Sequence, residues 1–144
     1  GYVDLVDVEA FREEARTSEE IRKLQSAGVH VIASFHNFDR TPDREELVRR
    51  LTRMQEMGAD VAKIAVMPQS REDVMTLMEA TMEADHSLDI PVVTMSMGRL
   101  GVLSRLAGTL TGSAMTFASV GEASAPGQIP IEQMRVFCQL LSMK

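Results

Sequence analysis

The chain has one cysteine, Cys138, in 144 residues, so no disulfide can form within it. It has no excess of basic charge: 15 Lys and Arg stand against 21 Asp and Glu, a net charge of −6, with both signs mixed along the sequence. That balance argues against a nucleic-acid or anionic-membrane surface as partner. No apolar run approaches the ~18 residues of a membrane span, and no charged, apolar, then small-residue leader opens the chain. A reduced, cytoplasmic setting is the expectation. Several chemical signatures are also missing. His30, His36 and His86 are not at ligand spacing with Cys138, so no metal is expected. There is no G-x-S-x-G hydrolase elbow, no P-loop and no G-x-G-x-x-G dinucleotide turn.

The sequence does carry alternation. Short β-rich runs cover Tyr2–Val8, Val29–Phe35, Val61–Met67, Pro91–Met97 and Ser113–Ala118. Each has the length and apolar density of a buried parallel strand. Helical periodicity fills the gaps. Thr17 and Glu20 read as a capping box before Ile21 and Leu24. Thr41-Pro42 reads as N-cap and first helical residue of a helix whose apolar stripe is Leu47, Leu51 and Met54, stopped by Gly58. Ser70 caps a helix with Val74, Leu77 and Met78 on one face. A short helix holds Val102–Leu106, and a last one starts at Pro130 with Ile131, Met134, Phe137 or Cys138, and Leu141 facing in. Five β-α units in succession imply an α/β fold with a parallel sheet, and no linker divides residues 1–144, which read as one domain.

Polar residues inside apolar strands mark candidate chemistry. Lys63 stands among Val61, Ala62, Ile64, Ala65 and Val66. Burial there would disfavour the ammonium and favour the amine that attacks a carbonyl, although a strand-edge lysine that snorkels to solvent fits the same pattern. His36 closes a strand, where α/β folds place proton transfer, but a histidine bonded to a loop carbonyl also fits. Glu9 ends the first strand and suits either a supporting carboxylate or a helix cap. Arg105, in a Gly- and Leu-rich segment, has the planar fork that clamps a carboxylate; Arg99 competes for that role from a loop. Residues 123–128, A-S-A-P-G-Q, have the composition of a lid as well as that of a plain loop, and offer Ser124 and Gln128 as hydrogen-bonding groups. Met95, Met97 and Phe117 can wall a pocket or fill a core.

Six segments together resemble one family. They are V-D-V-E-A-F at 6–11, S-F-H-N-F-D-R-T-P at 34–42, M-Q-E-M-G-A-D-V-A-K-I-A-V-M-P-Q at 54–69, T-M-S-M at 94–97, G-V-L-S-R-L-A-G at 101–108 and A-S-A-P-G-Q at 123–128. In this order they resemble the type I 3-dehydroquinate dehydratases of the shikimate pathway. The resemblance implies a (β/α)8 TIM barrel, of which this chain would hold about five β/α units, with the site at the C-terminal strand ends. It implies dehydration of 3-dehydroquinate to 3-dehydroshikimate without metal or cofactor, with Lys63 as the Schiff-base lysine and His36 as general acid/base. Arg105 would hold the substrate carboxylate, Ser124 and Gln128 would belong to the closing loop, Met95, Met97 and Phe117 would wall the pocket, and Glu9 would support the site. Two departures stand out. Asn37 follows His36 where many relatives carry Asp. The family's first three β/α units, with their Glu-x-Arg strand and a further arginine, have no counterpart here. A non-catalytic half-barrel is therefore the alternative, while a class I aldolase is disfavoured by the joint pattern of His36, Arg105 and the S-A-P-G-Q loop. Five strands would leave unpaired edges, so a homo-oligomer is expected.

Overall fold

In a computed structural model, which describes residues 2–142, four strands form one sheet: β1 (Leu5–Glu9), β2 (His30–Asn37), β3 (Val61–Val66) and β4 (Val92–Ser96). All neighbours are parallel and the spatial order is the chain order, β1-β2-β3-β4. A doubly wound sheet would reverse its order at a switch point; an unbroken order with a helix after each strand is the arc of a singly wound barrel. The helices are α1 (Glu14–Ser26), α2 (Arg44–Glu56), α3 (Arg71–Ser87), α4 (Val102–Leu106), α5 (Gly108–Thr111) and α6 (Ile131–Ser142).

The two faces of the sheet differ in chemistry. Val31, Ala33, Ala62, Ile64, Val66 and Val92 point to the helices and pack on Ile21 of α1, Leu47, Leu51 and Met54 of α2, and Leu77, Ala80 and Ala84 of α3, all buried. Each large aliphatic side chain so buried is worth ~1.5–3 kcal/mol. The alternate residues face the other way, and there the polar groups collect: Asp7 and Glu9 on β1, Ser34 and His36 on β2, Lys63 on β3. Ala65, Val93, Met95 and Met97 form a second, smaller apolar cluster on that inner side, with Met115 and Phe117 against it.

Helix starts follow local hydrogen-bonding chemistry. Ser70 caps α3 as expected, accepting from the Asp73 N–H at 3.2 Å, and the Asp73 carboxylate accepts in turn from the Ser70 N–H, which makes a reciprocal box. Two other starts differ from expectation. The N-cap of α2 is Asp43, whose carboxylate accepts from the Glu46 N–H at 2.7 Å. Thr41 instead donates its hydroxyl to the Met67 carbonyl at 3.1 Å, tying the end of β3 to the segment before α2. Helix α1 begins a turn before Thr17, and that hydroxyl bonds back to the Glu13 carbonyl at 3.1 Å as an interior residue does.

The fifth strand is absent as such. Residues 113–118 carry no strand ladder. Ala114 N–H reaches the Val92 carbonyl at 2.8 Å, yet the next ladder position is taken by a side chain: Ser113 Oγ accepts from the Thr94 N–H at 3.0 Å. A hydroxyl in place of a backbone carbonyl stops the pairing, although Met115 and Phe117 still reach the inner face. On α6, Met134 is buried as expected, whereas Phe137, Cys138 and Leu141 are exposed, with Cys138 and Leu141 facing α4 and residues 113–116 across an open cavity.

Candidate active site

A cavity of about 310 Å³ opens at the C-terminal ends of β3 and β4, beneath the loop 123–128. Lys63 and His36 line it from adjacent strands, and Arg105 from α4. Met95, Met97 and Phe117 form apolar wall, and Ser124 and Gln128 close the loop side. Glu9 is one step removed, behind His36. Sequence positions from Glu9 to Gln128 are thus brought together by four parallel strands in chain order and the loop that returns to them.

Lys63 is buried, at 8% exposure, in the register pair between Ser34 of β2 and Val93 of β4. It does not snorkel. Its Nζ donates to Asp7 Oδ2 at 2.6 Å and lies 5.1 Å from the centre of the Phe117 ring. His36 is fixed by one carboxylate at two points: Nδ1 lies 2.7 Å from Glu9 Oε2, and the His36 backbone N–H donates to Glu9 Oε1 at 3.3 Å. With Nδ1 engaged, Nε2 is the nitrogen left for reacting atoms. Phe38 stacks nearly parallel to the imidazole, 6.1 Å between centres.

Arg105 is a buried cation, 3% exposed, and no carboxylate of the described residues pairs with it. Its Nη2 donates to the Pro126 carbonyl at 3.1 Å, Nη1 lies 3.8 Å from Met95 Sδ, and Nε has no hydrogen-bond partner. Burial pushes its pKa below the ordinary arginine value, but a guanidinium stays charged across the physiological range. A desolvated positive fork lining a cavity without a counter-charge has the chemistry to receive an anion. Arg99, the competitor, is exposed and does not line the cavity. The loop is organised by its own side chains: Gln128 Oε1 accepts from both Ser124 N–H (2.8 Å) and Ser124 Oγ (3.1 Å).

Asp7 was not among the expected site residues. The signal for it lay in D-V-E at 7–9: a period of two puts Asp7 on the face of Glu9, so two carboxylates of one strand meet the two basic groups of the next two. Among the described residues, no group of three or more His, Cys, Asp or Glu is arranged to hold a metal ion.

The family model for type I 3-dehydroquinase matches residues 1–144. The chain belongs to that family. It is 52% identical to the 3-dehydroquinate dehydratase of Listeria welshimeri over 141 residues, covering 98% of this chain and 56% of that protein. It is 50% identical over 143 residues to the one from Klebsiella pneumoniae, covering 99% and 57%. Among solved structures, the Geobacillus kaustophilus 3-dehydroquinate dehydratase superposes with a TM-score of 0.92 at 47% identity, over 96% of this chain and 53% of that one. The type I enzyme from Clostridium difficile, solved with covalently modified comenic acid, matches with a TM-score of 0.92 at 48% identity, over 96% and 55%. The chain therefore spans a little over half the length of the relatives it matches. Its four parallel strands and flanking helices are a part of the family's barrel.

Proposed function

We propose that this chain carries the covalent half of a 3-dehydroquinate dehydratase site. Lys63 attacks the substrate ketone and, as water leaves, forms a protonated imine. The imine draws electrons from the neighbouring carbon, so His36 can take a proton there and an enamine forms. The enamine then expels the β-hydroxyl, which leaves as water with a proton returned by His36. Hydrolysis of the imine releases 3-dehydroshikimate and restores the Lys63 amine. Glu9 keeps the imidazole oriented through its Nδ1, Asp7 holds Lys63 in the resting site, and Arg105 receives the substrate carboxylate.

The observation that carries this reading is that Lys63, a carboxylate-oriented His36 and a buried Arg105 without a carboxylate partner line one cavity. A lysine alone would serve many chemistries; a lysine, a proton shuttle and an anion receptor around one small space suit a carbanion reaction on a keto acid. The covalent adduct in the relative from Clostridium difficile is in keeping with it. The test is to mix the chain with 3-dehydroquinate, reduce with borohydride and weigh the product. The expected outcome is one adduct on Lys63, absent in Lys63→Ala; an unmodified Lys63 under conditions that label a full-length relative overturns the reading.

The second reading, a half-barrel that folds without turnover, is favoured by one observation: β1 is an unpaired edge, and the inner face beside Asp7 and Leu5 is exposed. Among the described residues no side chain closes the site on that side, and a site open there stabilises a transition state less. A steady-state assay beside the trapping experiment separates the two. Association of two or more copies through these edges, and a cytoplasmic setting in keeping with a single cysteine, complete the proposal.

A further inference from the structure

The loop 123–128 is fastened to the barrel by backbone, at one point. The Pro126 carbonyl accepts two hydrogen bonds, from the Gly98 N–H just beyond β4 at 3.1 Å and from Arg105 Nη2 at 3.1 Å. The two glycines that meet there both have positive φ, +69° at Gly98 and +77° at Gly127. A Cβ at Gly127 would stand inside van der Waals contact of the Gly98 carbonyl oxygen, carbon and nitrogen, which are backbone atoms and cannot swing aside. At Gly98 a Cβ would meet only Met67 Sδ at ordinary contact distance, so the steric demand lies at Gly127.

We infer that Gly98 and Gly127 are positioning residues: a backbone latch that docks the loop and, through the shared Pro126 carbonyl, aims the Arg105 guanidinium. Pro126 supplies the one oxygen that Arg105 bonds among the described residues. When the loop lifts, the guanidinium loses that bond and with it the orientation that holds its remaining donors toward the cavity, so a carboxylate meets a well-aimed fork only while the loop is docked. Loop closure and carboxylate binding are therefore coupled, and by linkage each strengthens the other. The identity of the carboxylate rests on the proposed function; the latch itself does not.

The experiment has one arm free of the chemistry and one that uses it. Amide hydrogen exchange at Gly98 reports the latch directly. Gly127→Ala is expected to speed it by about tenfold or more, and Arg105→Met, which approaches the latch from the other side, by about threefold or more, as loss of one hydrogen bond implies. Unchanged Gly98 exchange in both variants overturns the inference. In the second arm, borohydride trapping on Lys63 is followed against concentration for 3-dehydroquinate and for a cyclic ketone without a carboxylate. Gly127→Ala should raise the half-saturating concentration of the first about tenfold, leave its plateau unchanged and leave the second ketone unaffected. Equal weakening of both ketones overturns the coupling to Arg105. Failure of the unaltered chain to form any adduct counts against the proposed function, with the exchange arm still deciding the latch.

Discussion

Two of the basic groups of the site, His36 and Lys63, are each met by a carboxylate of β1, and the two carboxylates stand two residues apart. Glu9 bonds His36 at 2.7 Å and Asp7 bonds Lys63 at 2.6 Å. The lysine side chain is 10% exposed and its partner 37%, so this pair is neither a solvated surface bridge nor a dry interior one. Its worth should fall between those cases, ~1–2 kcal/mol. A double-mutant cycle measures it. Asp7→Asn and Lys63→Met, singly and together, should show a coupling of that size in denaturant midpoints, because removing both partners leaves no orphaned charge. Additive effects would dismiss Asp7 as a partner of Lys63. At this scale the sequence was informative: eight of the nine expected side chains line the cavity and Glu9 stands behind His36. Whether Lys63 snorkels or stays buried could not be read from its neighbours. That depended on Phe117 and Asp7, which lie 54 residues after it and 56 before it.

At the scale of elements, one carboxylate joins three of them. Asp60, just before β3, accepts from Gln25 Nε2 at the end of α1 (3.0 Å) and from the Val31 N–H of β2 (2.8 Å), and meets His30 at 3.3 Å. Burial alone would raise its pKa, but the hydrogen bonds from Gln25, Val31 and His30 outweigh it and hold the carboxyl below its usual value. A carboxyl lowered in the folded state adds stability above the unfolded pKa of about 3.9, and that stability is lost as pH falls through the lower folded value. Asp60→Asn puts an amide N–H in place of one oxygen, facing either His30 Nδ1 at the Oδ1 position or the Gln25 and Val31 donors at the Oδ2 position. The expected result is a loss of ~1–2 kcal/mol at neutral pH that shrinks as the pH drops below about 4. A loss that stays constant from neutral to acid in urea titrations would contradict this. Elements were legible where their signal was local. The apolar stripe Leu47, Leu51, Met54 and the Ser70 cap are short-range patterns. Thr41 and Thr17 were misread because a threonine hydroxyl serves equally a helix end, a strand end or its own preceding turn. The fifth strand was misread because its β-rich composition could not reveal that Ser113 would take the Thr94 N–H with its side chain.

The molecule as a whole has two unlike faces. The helix-facing side of the sheet is closed, while β1 offers an unpaired edge and α6 a row of exposed side chains, with Val136, Phe137, Leu140 and Leu141 each 41% exposed or more. Apolar surface and an open edge on the same body favour association. Light scattering at micromolar concentration should give a mass at least twice the 15.9 kDa of one chain. A 15.9 kDa species would refute it.

The alternation of strands and helices, the helix-facing core and the residue types of the site are already set by the order of residues along the chain. Those follow from periodicities of two and 3.6 and from polar side chains placed in apolar strands, all properties of neighbours along the chain. Tertiary structure decided the rest. It chose which carboxylate meets which base, left Arg105 buried without a counter-charge and fastened the loop through Gly98 and Gly127. Each of these depends on distances between segments far apart in sequence, and those distances are set only when parallel strands fix their register and a loop returns across their ends.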